Sequence, residues 1–369
     1  MNMKFSNIIF MIEWLQGVKI ARKSMTYTVL STERTNAKAS EYETKALLYL
    51  MNFRNDSNEI HYFVIDFFND VTGIDSQARK AWDVQSKGSK KLSCKIIGID
   101  LVTLFKNYLS DLNFAHFILF MGGVSETSII NKELDSFDMS NFTERAKKSI
   151  KNGLEEAASE KSYINNDNIT EENINDFLNK VTFVIAKKEK SEYVKKIIKL
   201  NPAIIPSDDY LNSIFNQIRD KQTAKKNIYV ENININTLRD FEPYKKYLNT
   251  NEIKLLVLSR LILKDNISKS DGVPLSFLPI VSRQEEANRR TFIEDCYDDI
   301  FRTILDKNNA IAYWSLFEEI YIKITQNPHM NVEEVYDSLD SDKLSKVHFL
   351  NFNSTMYFIA IIKDALKND

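Results

Sequence analysis

Between Trp82 and Met121 the chain reads strand, helix, strand, and that order leaves few folds open. Residues 82–87, WDVQSK, alternate between two faces, with Asp83, Gln85 and Lys87 on one and Trp82, Val84 and Ser86 on the other. One face is polar and the other suits a core. Residues 100–112, DLVTLFKNYLSDL, put Leu101, Leu104, Phe105, Tyr108 and Leu112 on one helical face. Residues 114–121, FAHFILFM, are a buried strand ended by Gly122-Gly123. A helix joining two strands of one sheet implies a right-handed crossover and an α/β layer.

The flanking segments extend this layer. Residues 39–53 have helical spacing, with Ala46, Leu47 and Leu50 on the buried side. Glu43 falls on the same stripe, either reaching a buried partner or sitting at the stripe's edge in solvent. Glu41 and Lys45 pair on the outside. Residues 60–68, IHYFVIDFF, are short and rich in β-formers and read as a strand. Residues 181–186, VTFVIA, read as a further strand of the same sheet. Asn141-x-x-Glu144 has the form of a capping box opening a helix to about 159, Thr170 opens another towards Asn179, and two more follow Ser191 and Ser207.

Residues 230–369 change character. Helical periods occupy 251–264, 283–307 behind Ser282-x-x-Glu285, then 310–325, 331–339 and 353–367, with no clear strand. Residues 1–229 carry 32 basic and 29 acidic side chains, a balance of +3, against 17 and 22, a balance of −5, in 230–369. An acidic helical half is a poor DNA binder and suits protein contacts or self-association. Tyr313, Trp314, Phe317 and Tyr321 fit a core better than a partner surface.

The chemistry concentrates in residues 61–87. If the strand from Ile60 continues, Asp66 and Asp70 share parity with Tyr62, Val64 and Phe68 and lie on one face. Asp70 is the better placed, because the chain is expected to turn through Val71-Thr72-Gly73 after it; the alternative is an Asp satisfying its own backbone in that turn. Fourteen residues separate Asp70 from Gln85, and Lys87 follows on the Gln85 face. An aspartate and a carboxamide leave room on a hard Mg²⁺ ion for water and substrate phosphate, with Lys87 in reach of either.

In these residues, VIDFFNDVTGIDSQARKAWDVQSKG, the chain resembles the PD-(D/E)XK phosphodiesterases in the variant ending Gln-x-Lys. More narrowly it resembles the double-stranded DNA nuclease domain of bacterial anti-phage effectors, the CBASS-associated endonucleases and the Lamassu nuclease subunit, over about residues 30–225. The resemblance implies a restriction-endonuclease-like mixed sheet flanked by helices, followed by an all-helical C-terminal domain. It implies a metal-dependent endonuclease in which Asp70 and Gln85, helped by Glu43 or Asp66, hold Mg²⁺ or Mn²⁺ while Lys87 assists attack of water. It also implies double-stranded DNA as substrate, an SMC-like ATPase or other defence subunit as partner, and a homo-oligomer when active. Glutamine in place of the broader superfamily's acid removes a charge from the metal site. It keeps a second reading open, a non-catalytic subunit that docks DNA or partners, for which Lys87 has little use.

The domains expected are an extension over 1–24, a nuclease-like α/β domain over 25–229 and a partner-binding or oligomerisation domain over 230–369. The extension has an apolar run broken by Glu13, too short to span a bilayer; the expectation is a start at Met25 or a short docking helix over 8–20. Cys94 and Cys296 are far apart and lack metal-ligand spacing, which suits reduced thiols in a cytoplasm. His61, His116, His329 and His348 form no zinc motif, and no phosphate-binding glycine loop is present. Lys90, Lys91 and Lys95 follow the proposed site, where backbone phosphates would favour them or where they form a solvated loop. The lysines at 187, 188, 190, 195, 196, 199, 221, 225 and 226 alternate with acids and suit an ordinary charged surface.

Overall fold

The computed structural model describes residues 27–29, 37–197, 206–268 and 273–366. The expectations for residues 1–24 and for Lys199 fall outside them. The chain divides into two compact units: Met1–Glu189 with Gln217–Thr250, and Lys190–Asn216 with Asn251–Asp369. The first contains β1 (Tyr27–Val29), α1 (Ala37–Asn52), β2 (Ile60–Ile65), β3 (Val71–Asp75), β4 (Ala81–Lys87), α2 (Cys94–Asp100), α3 (Val102–Leu109), β5 (Phe114–Met121), β6 (Ser136–Phe137), α4 (Glu144–Ser159), α5 (Glu171–Leu178) and β7 (Val181–Ile185). α6 (Lys190–Lys195) lies in the second unit, and α7 (Asp208–Lys226) begins in the second and ends in the first. β8 (Ile233–Ile235) and β9 (Tyr247–Asn249) return to the first unit.

Seven strands form a mixed sheet in the order β6-β7-β5-β4-β3-β2-β9, and β1 pairs with β8 apart from it. β4, β5 and β7 run parallel, as the crossover demands, whereas β2, β3 and β4 are antiparallel neighbours. Helices cover both faces. On one, Tyr49 of α1 meets Phe120 with ring centroids 5.7 Å apart. On the other, Tyr108 of α3 and Phe177 of α5 enclose Phe117 at 5.8 and 5.5 Å. Rings at these separations and tilts add about 1 kcal/mol per pair beyond the area they bury.

α2 and α4 cross at glycines. A Cβ on Gly98 would lie 2.1 Å from the Ile150 carbonyl oxygen, and one on Gly153 would lie 2.3 Å from that of Lys95. Only hydrogen at both positions lets the backbones approach so closely, and α2 is thereby fixed over the end of β4.

Several sequence expectations need correction. The strand from Ile60 ends at Ile65, because Asp66 takes a left-handed conformation with φ 49° and closes a hairpin loop by donating its N–H to the Asp70 carbonyl. The shared parity of Asp66 and Asp70 is therefore lost. Val71-Thr72-Gly73 is not a turn but the start of β3. Residues 230–369 are not all helical, since β8 and β9 lie within them and β9 pairs with β2 at the edge of the main sheet. Both strands belong to the first unit, so the units do not part at a single cut after residue 229. α4 is capped by Thr143, whose hydroxyl accepts from the Ala146 N–H, and not by Asn141, which instead exchanges hydrogen bonds with Asn131. The helix expected from residue 283 begins at Arg289, and the Ser282 hydroxyl donates to the Pro279 carbonyl instead of capping it.

The second unit continues with α8 (Thr250–Ser268), α9 (Leu278–Val281), α10 (Arg289–Leu305), α11 (Ala310–Gln326), α12 (Val332–Asp337), α13 (Ser341–Lys346) and α14 (Phe352–Ala365). Tyr313 and Phe317 of α11 stack on Phe358 of α14 at 5.4 and 5.7 Å, so they are core; Trp314 stays 41% exposed. Among the described residues no helix is long and apolar enough to cross a membrane.

Candidate functional site

The site grows from a polar ladder between β4 and the helices that follow it. Strand alternation puts Asp83, Gln85 and Lys87 on one face, and helical spacing of three and four residues puts Asp100, Thr103 and Asn107 on one stripe. The two rows meet rung by rung in opposite directions. Asn107 Nδ2 donates to Asp83 Oδ2 at 2.6 Å, Thr103 Oγ1 donates to Gln85 Oε1 at 2.7 Å, and Lys87 Nζ lies 3.3 Å from Asp100 Oδ1.

The innermost rung is structural. Asp83 is fully buried, and Thr72 and Asn69 also donate to it. Burial still wins over these three donors and pushes its carboxyl up to about 7, with the charge of Asp70 adding to the effect.

The outer rungs open on Asp70. Its position follows from register: Val71 stands opposite Val84, which brings Asp70 level with Gln85. One oxygen, Oδ2, accepts from Gln85 Nε2 at 2.7 Å, from the Ser86 N–H at 2.7 Å and from the Ser86 hydroxyl at 3.0 Å. Side chains from both faces of β4 thus converge on this carboxylate. Burial raises its pKa more than Ser86, Lys87 and Lys226 lower it.

Glu43 projects from α1 and is 3% exposed, so the solvent-edge alternative does not hold. Its buried partner is Lys226, the last residue of α7, with Nζ 2.9 Å from Oε1. Burial, and then the charge of Asp70, push the Glu43 carboxyl up to about 6 against the pull of Lys226. Burial alone would lower Lys226; Glu43, Asp66 and Asp70 reverse that and raise it. Asp66 lies 3.8 Å from Lys246 Nζ and is felt by both Glu43 and Lys226.

Asp100 was not among the site residues expected, and neither were Ser86 and Thr103. Asp100 Oδ2 is buried without a hydrogen bond among the described residues, and burial raises the group, with Asp70 adding and Lys87 opposing. The only hint in the sequence was that Asp100, Thr103 and Asn107 share a stripe beside the apolar one. Lys226 was read as part of a charged surface, a role that Lys187 and Lys195 do fill, paired with Asp135 and Asp208.

No three His, Cys, Asp or Glu side chains converge to hold a metal ion among the described residues. The donor set here is of another kind: the oxygens of Asp70 and Glu43 and the carboxamide of Gln85, all hard, with like charges that a cation would relieve. The amide suits that use. Turning its terminal group by half a revolution puts Oε1 towards Asp70 and Nε2 towards Thr103, whose hydroxyl accepts as readily as it donates. Asp70 Oδ2 keeps both Ser86 donors after the exchange, and Gln85 Oε1, then facing it with no donor between, is an oxygen left for a cation.

No family model, curated protein or solved structure matches the chain.

Proposed function

We propose that this protein is a metal-dependent phosphodiesterase that cuts double-stranded DNA at the Asp70, Gln85 and Lys87 cluster. The observation that carries the reading is the convergence of Gln85 and Ser86 on one Asp70 oxygen, with Lys87 two residues further along the same strand face. Asp70, Gln85 and Glu43 would hold Mg²⁺ or Mn²⁺, and Asp66 is near enough to influence Glu43. When bound, the ion would lower the pKa of a water and neutralise charge on the phosphate. Lys87 does the rest from the protein side. Its side chain, 37% exposed and paired with Asp100, can turn its ammonium towards a phosphate oxygen and stabilise the charge that develops there. Ser86 fixes the Asp70 carboxylate in orientation, and Lys226 holds Glu43 in its ionised form beside it.

The resemblance extends this proposal to an effector of bacterial anti-phage defence, restrained until a partner such as an SMC-like ATPase releases it or copies assemble. The test is plasmid cleavage by the full chain in Mg²⁺ or Mn²⁺, over a range of protein concentrations, beside Asp70→Ala and Lys87→Ala. Loss of cutting in both variants, and in wild type with chelator, is expected. Cutting that survives both substitutions overturns the site. Wild type that stays silent when concentrated and when mixed with the products of its genomic neighbours, yet binds DNA, makes it a docking subunit instead.

A further inference from the structure

α4 carries two stripes of basic residues that differ in one respect. Lys147 and Lys151 are neutralised, at 2.8 Å from Glu144 and 2.5 Å from Glu171. Arg145 and Lys148, on the adjacent stripe, are exposed and make no ion pair or hydrogen bond among the described residues. These two face a groove of about 350 Å³ whose other walls are Lys95 of α2 and Ser149, Asn152 and Glu156 of α4. Three cations and one acid line it, and the acid is engaged by Lys95 at 2.7 Å.

The groove follows from the glycine crossing. Because α2 and α4 touch backbone to backbone at Gly98 and Gly153, side chains flanking the contact must splay outward and leave a channel between the helices. Arg145 and Lys148 also occupy the first turns of a sixteen-residue helix, where the dipole adds positive potential. Ser149 and Asn152 offer a hydroxyl and an amide, donors suited to phosphate oxygens.

The groove is tied to the candidate site by α2 itself. Lys95 lines the groove at one end of this helix, and Asp100 meets Lys87 at the other. Five residues of α-helix rise about 7.5 Å, and successive phosphates of one DNA strand advance about 3.4 Å along the duplex axis. Along the axis of α2 alone this rise matches about two nucleotide steps.

We propose that the α2–α4 groove binds the phosphate backbone of duplex DNA, beside the phosphate held at Lys87. The choice of ligand rests on the nuclease reading; the binding itself does not require cleavage. The groove contacts phosphate and not base edges, so it sets position along the duplex and carries no sequence preference.

The experiment measures binding of a fluorescent 30-base-pair duplex to the full chain, without divalent metal, as salt rises from about 50 to about 200 mM. Each lost phosphate contact flattens the dependence of log affinity on log salt by about 0.9, so Arg145→Ala with Lys148→Ala flattens it by about 2. Across that range wild type then loses about twelve-fold more affinity than the double variant. Lys147→Ala with Lys151→Ala, which removes cations already paired, leaves the slope unchanged. Glu156→Gln frees Lys95 and tightens binding several-fold. This pattern supports the groove even if wild type cuts no DNA. A double Arg145/Lys148 variant with the wild-type slope, or wild type that binds no duplex, overturns it while leaving the cleavage test to judge the site. Equal binding of a double-stranded RNA of the same length, lost in the same variant, overturns the assignment to DNA.

Discussion

Replacing Asp83 by Asn should stabilise the protein at neutral and alkaline pH, although three donors serve the carboxylate. The group is fully buried, and Lys106, a cation that feels its charge, is turned to the Thr28 carbonyl at 3.0 Å and the Tyr27 ring. Its pKa rises from 3.8 to about 7 on folding, chiefly through burial. The folded state therefore holds the proton more tightly than the unfolded state. Stability from this group is complete below 3.8 and is lost as pH climbs through about 7. About three units at about 1.4 kcal/mol each give a total near 4 kcal/mol, of which about 3 fall between pH 4.5 and pH 8. Asn keeps the shape. With its oxygen towards Asn107 and Asn69 and its amide towards Thr72, whose hydroxyl reverses from donor to acceptor, the bonds are retained. Native-state hydrogen exchange of the β4 amides, at about pH 4.5 and about pH 8, reads the stability of this unit alone. The variant should gain on wild type by about 3 kcal/mol from the lower pH to the higher. A difference that stays level or falls would refute the claim that desolvation dominates at Asp83.

Two further outcomes follow from the packing. Gly98→Ala sets a methyl group 2.1 Å from the Ile150 carbonyl oxygen and 2.7 Å from the Leu154 nitrogen, both backbone. It should cost about 3 kcal/mol in urea unfolding despite Ala's better helix propensity, and an unchanged midpoint would mean that α2 and α4 are not in contact there. Lys226→Met leaves Glu43 buried beside Asp70 without its partner and should cost about 3–5 kcal/mol at neutral pH. The loss should shrink below about pH 6, where Glu43 can take up a proton, and a loss independent of pH would argue that the pair is not buried.

The parts of the fold that were legible in the sequence are those where one period dominates. FAHFILFM and VTFVIA became β5 and β7 within a residue of their expected ends, and the helix expected over 39–53 is α1, Ala37–Asn52, with Ala46, Leu47 and Leu50 buried. β3 was hidden because VTGID is short and carries Gly73 in mid-strand. A Cβ there would approach Ile60 at 3.0 Å and Leu50 at 3.3 Å, so tertiary packing and not turn chemistry selects the glycine. β8 and β9 have three residues each and owe their pairing to partners 183 to 208 positions away, such as Asn249 with Tyr62 and Ile235 with Tyr27, which no local period encodes. At the site, alternation correctly joined Asp83, Gln85 and Lys87, but not what they face. The stripe of Asp100, Thr103 and Asn107 reads as solvent-facing polarity until β4 covers it. Glu43 with Lys226 spans 183 positions and was beyond sequence reasoning altogether.

The polar ladder also works as an alignment gauge. Apolar side chains tolerate sliding, because one methyl is much like the next, and a helix held on a sheet by oil alone has several nearly equivalent seats. Here the strand steps about 6.6 Å per rung and the helix about 5 Å, so the two rulers agree over three rungs only and at one offset. Shifting the helices by a single turn would part Asn107 from Asp83, Thr103 from Gln85 and Asp100 from Lys87, and none of the three rungs would keep its partner. The sheet and helix therefore have one setting, and the spacing of Asp70, Gln85 and Lys87 is machined to it.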